Sequence, residues 1–154
     1  MIEIRRFDPR DAETVSRLVR QVFDEHVAAT FEPEGVMEMH RHVDPTAIAE
    51  RAETHMTLEA WSGTDLVGVL ELRESTRISM LFVATSHMGM GIASQLVACA
   101  EEACRSAGQT LMTVHSSLNA EAFYRRVGFV PIDRQQKVHG FAFLPMEKRL
   151  PTKR

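Results

Sequence analysis

Residues 78–97 read ISMLFVATSHMGMGIASQLV. An apolar run stops, glycines follow at i and i+2, and an apolar pattern of helical period begins at once. A strand, a tight turn and a helix start are thereby confined to one short segment. The first turn of a helix exposes backbone N–H groups with no partner inside the helix, at the positive end of its dipole. Glycine there lets an anion come close to those groups. The segment is either a cradle for a pyrophosphate-bearing ligand or a tight strand-to-helix turn that binds nothing.

The composition around it is that of an ordinary globular chain. With 154 residues, 44% of them apolar and 25% charged, one domain with a real core is expected over residues 2–150, followed by a short basic tail at 151–154. A net charge of -3 and a pI near 6.2 give no electrostatic reason to expect nucleic acid as a partner. No apolar run reaches membrane-spanning length, and MIEIRRFDPR lacks the apolar core of a signal peptide. No membrane partner and a cytoplasmic location are therefore expected.

Cys99 and Cys104 lie five apart on what reads as one helix and cannot face each other, so no disulfide is expected. Both read as small buried apolar residues. The histidines form no HExxH pattern. His40 and His42 do not share a helix face, and His26 and His55 stand alone. No metal is expected.

Strands and helices alternate along the chain. Residues 2–7 read as a strand, and Asp8-Pro9 as a helix cap with proline in the first turn. Val15, Leu18, Val19, Val22 and Phe23 then mark an amphipathic helix. Residues 33–43 read as helix or loop, and Asp44-Pro45 starts a short helix through about residue 53. Residues 57–61 and 66–73 are strands joined by Ser-Gly-Thr-Asp, a hairpin signal. Residues 78–83 are a central strand. The helix after the glycines carries Ile92, Leu96, Ala100, Ala103, Cys104 and Ala107 on one side, with Gly108 as its C-cap. Residues 111–114 are a buried strand, and residues 119–127 a short helix closed by Gly128. Residues 129–138 and 141–149 form a hairpin around His139-Gly140. The order is β-α-α-β-β-β-α-β-α-β-β.

That order narrows the glycine segment. A dinucleotide-binding fingerprint lacks its third glycine, since Ser94 stands there, and three consecutive strands precede the turn. No Gly-Lys-Ser/Thr follows, which excludes a phosphate loop of the Walker type. Residues 88–93, MGMGIA, instead resemble the acetyl-CoA-binding motif of the GNAT superfamily of N-acetyltransferases, Gln/Arg-x-x-Gly-x-Gly/Ala after a central strand. Met88 replaces the Gln/Arg. At the family's spacing, SSLNAEAFYRRVGF at 116–129 is similar to the asparagine–tyrosine–Gly-Phe segment that ends the cofactor site. FAFLPMEKRL resembles the family's last strand, so the resemblance runs from residue 2 to residue 150.

The resemblance implies an α/β (α+β) domain. Its central sheet is mixed, mostly antiparallel and twisted, with six to seven strands, about four helices and a splay at the central strand. It implies acetyl-CoA as cosubstrate, without metal. The backbone of Phe82 and Val83 is expected to pair with the pantetheine amides, and an N–H there to polarise the thioester carbonyl. The amides of Met88, Gly89, Met90, Gly91, Ile92, Ala93 and Ser94 are expected to take the pyrophosphate. Asn119 either bonds the cofactor or caps its helix, and Phe123 borders the same site. Tyr124, the one tyrosine of the chain, either protonates the departing thiolate or packs beside Phe123 and Phe129.

The attacking amine needs a base. Glu71, beside the central strand, and His115, at a strand end, are the candidates, with Glu74 and His87 ranked below them. Acceptor choice is expected in residues 24–43 and in the 129–149 hairpin. Glu25, Glu32, Glu34 and Glu38 either attract a cationic amine or form a solvated face. Phe31, Val36, Met37 and Met39 either line an apolar pocket or pack on the core. The resulting expectation is direct transfer, in a ternary complex, to an amine of a small molecule or peptide. A homodimer through an exposed hairpin edge is expected alongside it. A non-catalytic acyl-CoA-binding sensor or regulatory module is the alternative that the Met88 departure keeps open.

Overall fold

The computed structural model describes residues 1–151. The chain opens with strand β1 (Ile2–Arg6). Asp8 then accepts a hydrogen bond from the Arg10 amide at 2.9 Å, with Pro9 in the first turn, and this 3-10 turn leads into helix α1 (Ala12–His26). Val15, Val19, Val22 and Phe23 form its buried stripe. Residues 33–43 are helical: Pro33 opens α2 (Pro33–His42) after the extended Glu32. The Asp44 carboxylate accepts from the Thr46 amide at 3.2 Å and starts α3 (Pro45–Arg51).

Strands β2 (Met56–Ser62) and β3 (Asp65–Arg73) are joined through Gly63, whose φ of +61° is left-handed. After β4 (Arg77–Val83) come α4 (Ile92–Ser106), β5 (Leu111–Ser116), α5 (Glu121–Arg126), β6 (Val130–Pro131), β7 (Gln136–Val138) and β8 (Phe141–Arg149). Helices α4 and α5 end alike. Gly108 and Gly128 donate to the carbonyls of Arg105 and Arg125, and the next residues, Gln109 and Phe129, donate to Cys104 and Tyr124. Both glycines have positive φ, as this paired C-terminal motif requires.

Eight strands form the sheet, in the order β1-β2-β3-β4-β5-β8-β6, with β7 also paired to β8. Residues 129–138, expected as one strand, are two. Between them Asp133 accepts from the Arg134 amide and from Gln136, so a side chain replaces the ladder there. With α2 helical as well, eight strands and five α-helices stand among the described residues where six to seven and about four were expected. Among the described residues no helix is long and apolar enough to cross a membrane.

All neighbouring strands are antiparallel except β4 and β5, which run parallel through two residue pairs, Arg77 with Thr113 and Ile78 with Val114. Thr76 fastens this short seam. Its carbonyl accepts from the Thr113 amide at 2.9 Å, and its hydroxyl donates to the Leu111 carbonyl at 2.6 Å. Beyond Ile78 the two strands part.

Helices cover both faces of the sheet. One layer joins Val15, Val19 and Ile48 to Val69 and Met80. The other joins Ile92, Leu96, Ala100, Cys104 and Tyr124 to Leu70, Leu72 and Met112. Gly68 admits α4 closely: a Cβ there would stand 3.1 Å from side-chain atoms of both Ile92 and Leu96. The paired reading of the cysteines is corrected. Cys104 is buried but Cys99 is exposed, because five residues turn a helix about 140° beyond one full revolution and carry Cys99 off the core face.

Glu59 of β2 is fully buried on the α1 face. It accepts from the Trp61 indole at 3.1 Å, and its other oxygen has no hydrogen-bond partner among the described residues. Burial raises its carboxyl pKa to about 7. The folded protein thus holds a proton that the unfolded chain releases near the ordinary carboxyl value, so stability falls as pH rises between the two. Glu59→Gln is expected to raise the melting temperature at pH 8.5 and to leave it nearly unchanged at pH 5. Scanning calorimetry at the two pH values checks this.

Candidate active site

The parting of β4 from β5 opens one large cavity of about 880 Å³, bordered by both strands, the glycine turn, α1, α2, α5 and β8. A bulge turns β4 at this point. Met80 pairs with Glu71 and Ile78 with Leu72, so Ser79 is an extra residue without a cross-strand partner. The Ser79 hydroxyl donates to Glu71 Oε1 at 2.7 Å, and Arg51 Nε donates to Glu71 Oε2 at 3.0 Å. Arg51 also donates to the His42 carbonyl at 2.7 Å. The bulge is therefore tied to α3 by a buried ion pair.

Past the bulge the ladder alternates. The Ala84 amide donates to Val67 of β3 at 2.8 Å, and Phe82 is opposite Val69 two residues earlier. That alternation turns the backbone of Phe82 toward β3, and the backbones of Leu81 and Val83 toward the gap left by β5. Of the expected pair, Val83 presents its N–H and C=O to the cavity. Phe82 contributes only its side chain, and Leu81 takes its place.

The glycine turn completes this side. Gly89 and Gly91 have φ of +78° and +81°, and an added Cβ at either would meet nothing within 4 Å, so conformation rather than space demands glycine. Gly91 is the N-cap of α4 and no side chain bonds the helix start. The amides of residues 89–94 donate to no backbone carbonyl among the described residues. The Met88 amide does not belong with them, since it bonds the Thr85 carbonyl at 3.4 Å. Met88, Gly89, Gly91, Ile92, Ala93 and Ser94 line the cavity, whereas Met90 points away and is 61% exposed.

Tyr124 reaches the cavity from α5. The Phe129 amide bonds its carbonyl at 2.9 Å, and its ring meets Phe129 at 5.4 Å and Phe123 at 5.3 Å, both edge-on. Its hydroxyl has no hydrogen-bond partner among the described residues. Burial pushes the phenol pKa well above its ordinary value, so it stays protonated. Asn119 lines the cavity from a 3-10 turn (Leu118–Ala120) and caps no helix.

The two base candidates separate. Glu71 is wholly buried, both its oxygens are engaged, and it does not border the cavity. His115 does border it, with its ring stacked on Phe143 at 4.4 Å and 17°. Burial, then the Arg77 charge, hold His115 below the ordinary imidazole pKa. His26, His42 and His87 line the same cavity. Among the described residues no three His, Cys, Asp or Glu side chains are grouped to hold a metal. Arg126, the one Lys or Arg on the cavity wall among the described residues, escaped the sequence reading, although it stands in the same FYRR segment as Tyr124.

The far end is roofed by α2 and the β7–β8 hairpin. The His139-Gly140 turn has φ of +50° and +81°, the two left-handed residues that the tightest hairpins use. The Gly140 carbonyl accepts from the Glu32 amide at 3.0 Å, and a Cβ on Gly35 would lie 2.4 Å from that carbonyl oxygen. Phe31 and Met39 line this end, while Val36 and Met37 do not. Of Glu25, Glu32, Glu34 and Glu38, Glu38 alone reaches the wall.

Residues 27–150 match the family model for an acetyltransferase (GNAT) domain. A comparison with curated proteins finds no match. Among solved structures the chain is similar to a GCN5-related N-acetyltransferase from Rhodopseudomonas palustris. The identity is 25% and the TM-score 0.83, over 96% of this chain and 95% of that one. It is also similar to PaiA N-acetyltransferase from Thermoplasma acidophilum in complex with coenzyme A, at 20% identity and a TM-score of 0.78 over 97% and 99% of the two chains. A third likeness is to an aminoglycoside 6'-N-acetyltransferase complexed with coenzyme A, at 15% identity and a TM-score of 0.69 over 99% of each chain. The mixed, mostly antiparallel sheet that parts at its central strand is thus the fold expected from the sequence resemblance.

The Glu71 geometry carries its own test. Glu71→Ala leaves the Arg51 guanidinium with a buried, unpaired charge, which costs about 3 kcal/mol. An unfolding free energy from urea titration lower by about that amount, with an unchanged m-value, is the expected outcome.

Proposed function

The chain belongs to the GNAT acetyltransferase family, and from this we propose that it is a cytoplasmic N-acetyltransferase, transferring acetyl from acetyl-CoA directly to an amine. The observation that carries this reading is the open edge of β4. Leu81 and Val83 present unpaired backbone beside a turn of free amides, in one cavity with Tyr124. Relatives of the same fold hold coenzyme A.

The residues fit the cosubstrate in kind. An amide-bearing arm laid along β4 would satisfy the backbone groups of Leu81 and Val83, as a missing strand would. The amides of residues 89–94 and the α4 dipole suit a pyrophosphate without any side chain, so Met88 in place of a polar residue is tolerable. Arg126 supplies a positive charge on the same wall, and Asn119 and Phe123 line the cavity in which the arm would lie. Acetyl-CoA brings an activated acyl thioester to the cavity.

The chain's own groups handle the protons. His115, held neutral by its surroundings, accepts one from the incoming ammonium at a ring nitrogen. Tyr124 keeps its proton at neutral pH and offers it from Oη at the position where sulfur departs. Glu71, the other base candidate, braces the bulge instead.

Calorimetry with acetyl-CoA tests binding, and thiol release across an amine panel tests transfer. Absence of binding at high micromolar concentration would defeat the proposal, and binding without thiol release would leave the non-catalytic module. Tyr124→Phe is expected to lower kcat about 100-fold with acetyl-CoA affinity unchanged. His115→Gln should remove the rise of kcat/KM with pH that the parent shows at or below about pH 6.5.

A further inference from the structure

We propose that the acceptor is a monoamine carried on an aromatic or apolar body, and that polycationic amines are poor acceptors. This rests on the acetyl-transfer reading above and names the substrate class of that site.

The roofed end of the cavity is lined by Phe23, Phe31, Phe141, Phe143, Met39 and Val138. Phe31 meets Phe23 and Phe141 edge-on, each at 5.3 Å, so three rings form a continuous wall. Such a wall takes an apolar or aromatic body by contact and accommodates one ammonium against its ring faces.

Counter-charge is what the wall lacks. Among the described residues Glu38 is the one carboxylate on it, and Arg41 holds Glu38 Oε2 at 2.6 Å. Of the nearby acids off the wall, Asp24 bonds His40 at 2.7 Å, Glu25 accepts from Thr85 at 2.8 Å and Glu32 faces Lys137 at 3.5 Å, and Glu34 does not border the cavity either. Each ammonium that leaves water needs a charged or hydrogen-bonding partner. A monoamine carries one such charge and gives it up when His115 takes the proton. A polyamine or aminoglycoside keeps further charges that this wall cannot meet.

Calorimetry with acetyl-CoA first reads the underlying activity by itself: no binding there defeats acetyl transfer, whatever the amine. Thiol release then compares 2-phenylethylamine and tryptamine with spermidine and kanamycin. The expected result is a kcat/KM at least about tenfold higher for the aromatic monoamines. Equal or better use of either polycation overturns the inference while leaving acetyl transfer intact. Should acetyl-CoA bind without turnover of any amine, calorimetric titration of the loaded protein decides. Binding of tryptamine but not spermidine supports the inference, and the reverse, or no binding of tryptamine, overturns it. Val138→Glu places an unpaired carboxylate on the rim at a position 45% exposed, where folding tolerates it. It should move the spermidine to 2-phenylethylamine ratio up about tenfold with an unchanged melting temperature, and an unmoved ratio counts against the inference.

Discussion

A strand in the middle of a sheet normally has both edges occupied. Here β4 keeps its β3 edge throughout and loses its β5 edge after two residue pairs. Backbone groups left without partners in a protein interior are costly, so the open edge persists only because other parts of the molecule hold it. Thr76 clamps the seam from which the strands diverge. The extra residue at Ser79 turns β4, and Glu71 with Arg51 locks that turn to α3. On the other face, Gly68 brings α4 down onto β3, which aims the start of α4 and its free amides along the opened edge. Phe129, folded back by the Gly128 turn, presses Tyr124 into the same gap. The cavity is thus what remains when a continuous hydrogen-bond ladder is interrupted and braced.

What could be read from the sequence is what local chemistry decides. Asp8, Asp44, Gly108, Gly128 and the His139-Gly140 turn stand where their backbone preferences require, and the glycine turn was legible for the same reason. Tertiary pairing was not. Arg51 and Glu71 are 20 residues apart, and nothing in either neighbourhood announces that one neutralises the other. Glu71 therefore read as a base when it is a brace. The backbone sense of Phe82 depends on the register with β3, which a one-residue bulge changes. Cys99 failed for a simpler reason, since the helix phase that buries Cys104 carries it outward.

The histidines show how far topology can gather what sequence scatters. His26, His42, His87 and His115 come from four separate elements or turns, yet all face one cavity. Their surroundings set them apart. His26 shares a hydrogen bond with Thr85 at 2.9 Å, burial and Arg51 hold His42 below its ordinary pKa, and His115 is stacked on an aromatic ring. The wall therefore combines apolar rings with two imidazoles, His42 and His115, whose surroundings disfavour their charged form, a combination that composition alone does not reveal.

The contact between Gly35 and Gly140 has a consequence for how such a chain can diversify. Two backbones in touch admit no side chain on either partner, so the seam of the roof is closed to variation one residue at a time. The rim beside it is open: Val138 lines the cavity, is 45% exposed and is held by no such constraint. A lineage carrying this fold can retune what it admits by exchanging rim residues while the pair of glycines travels unchanged, or it must replace the helix and the hairpin together.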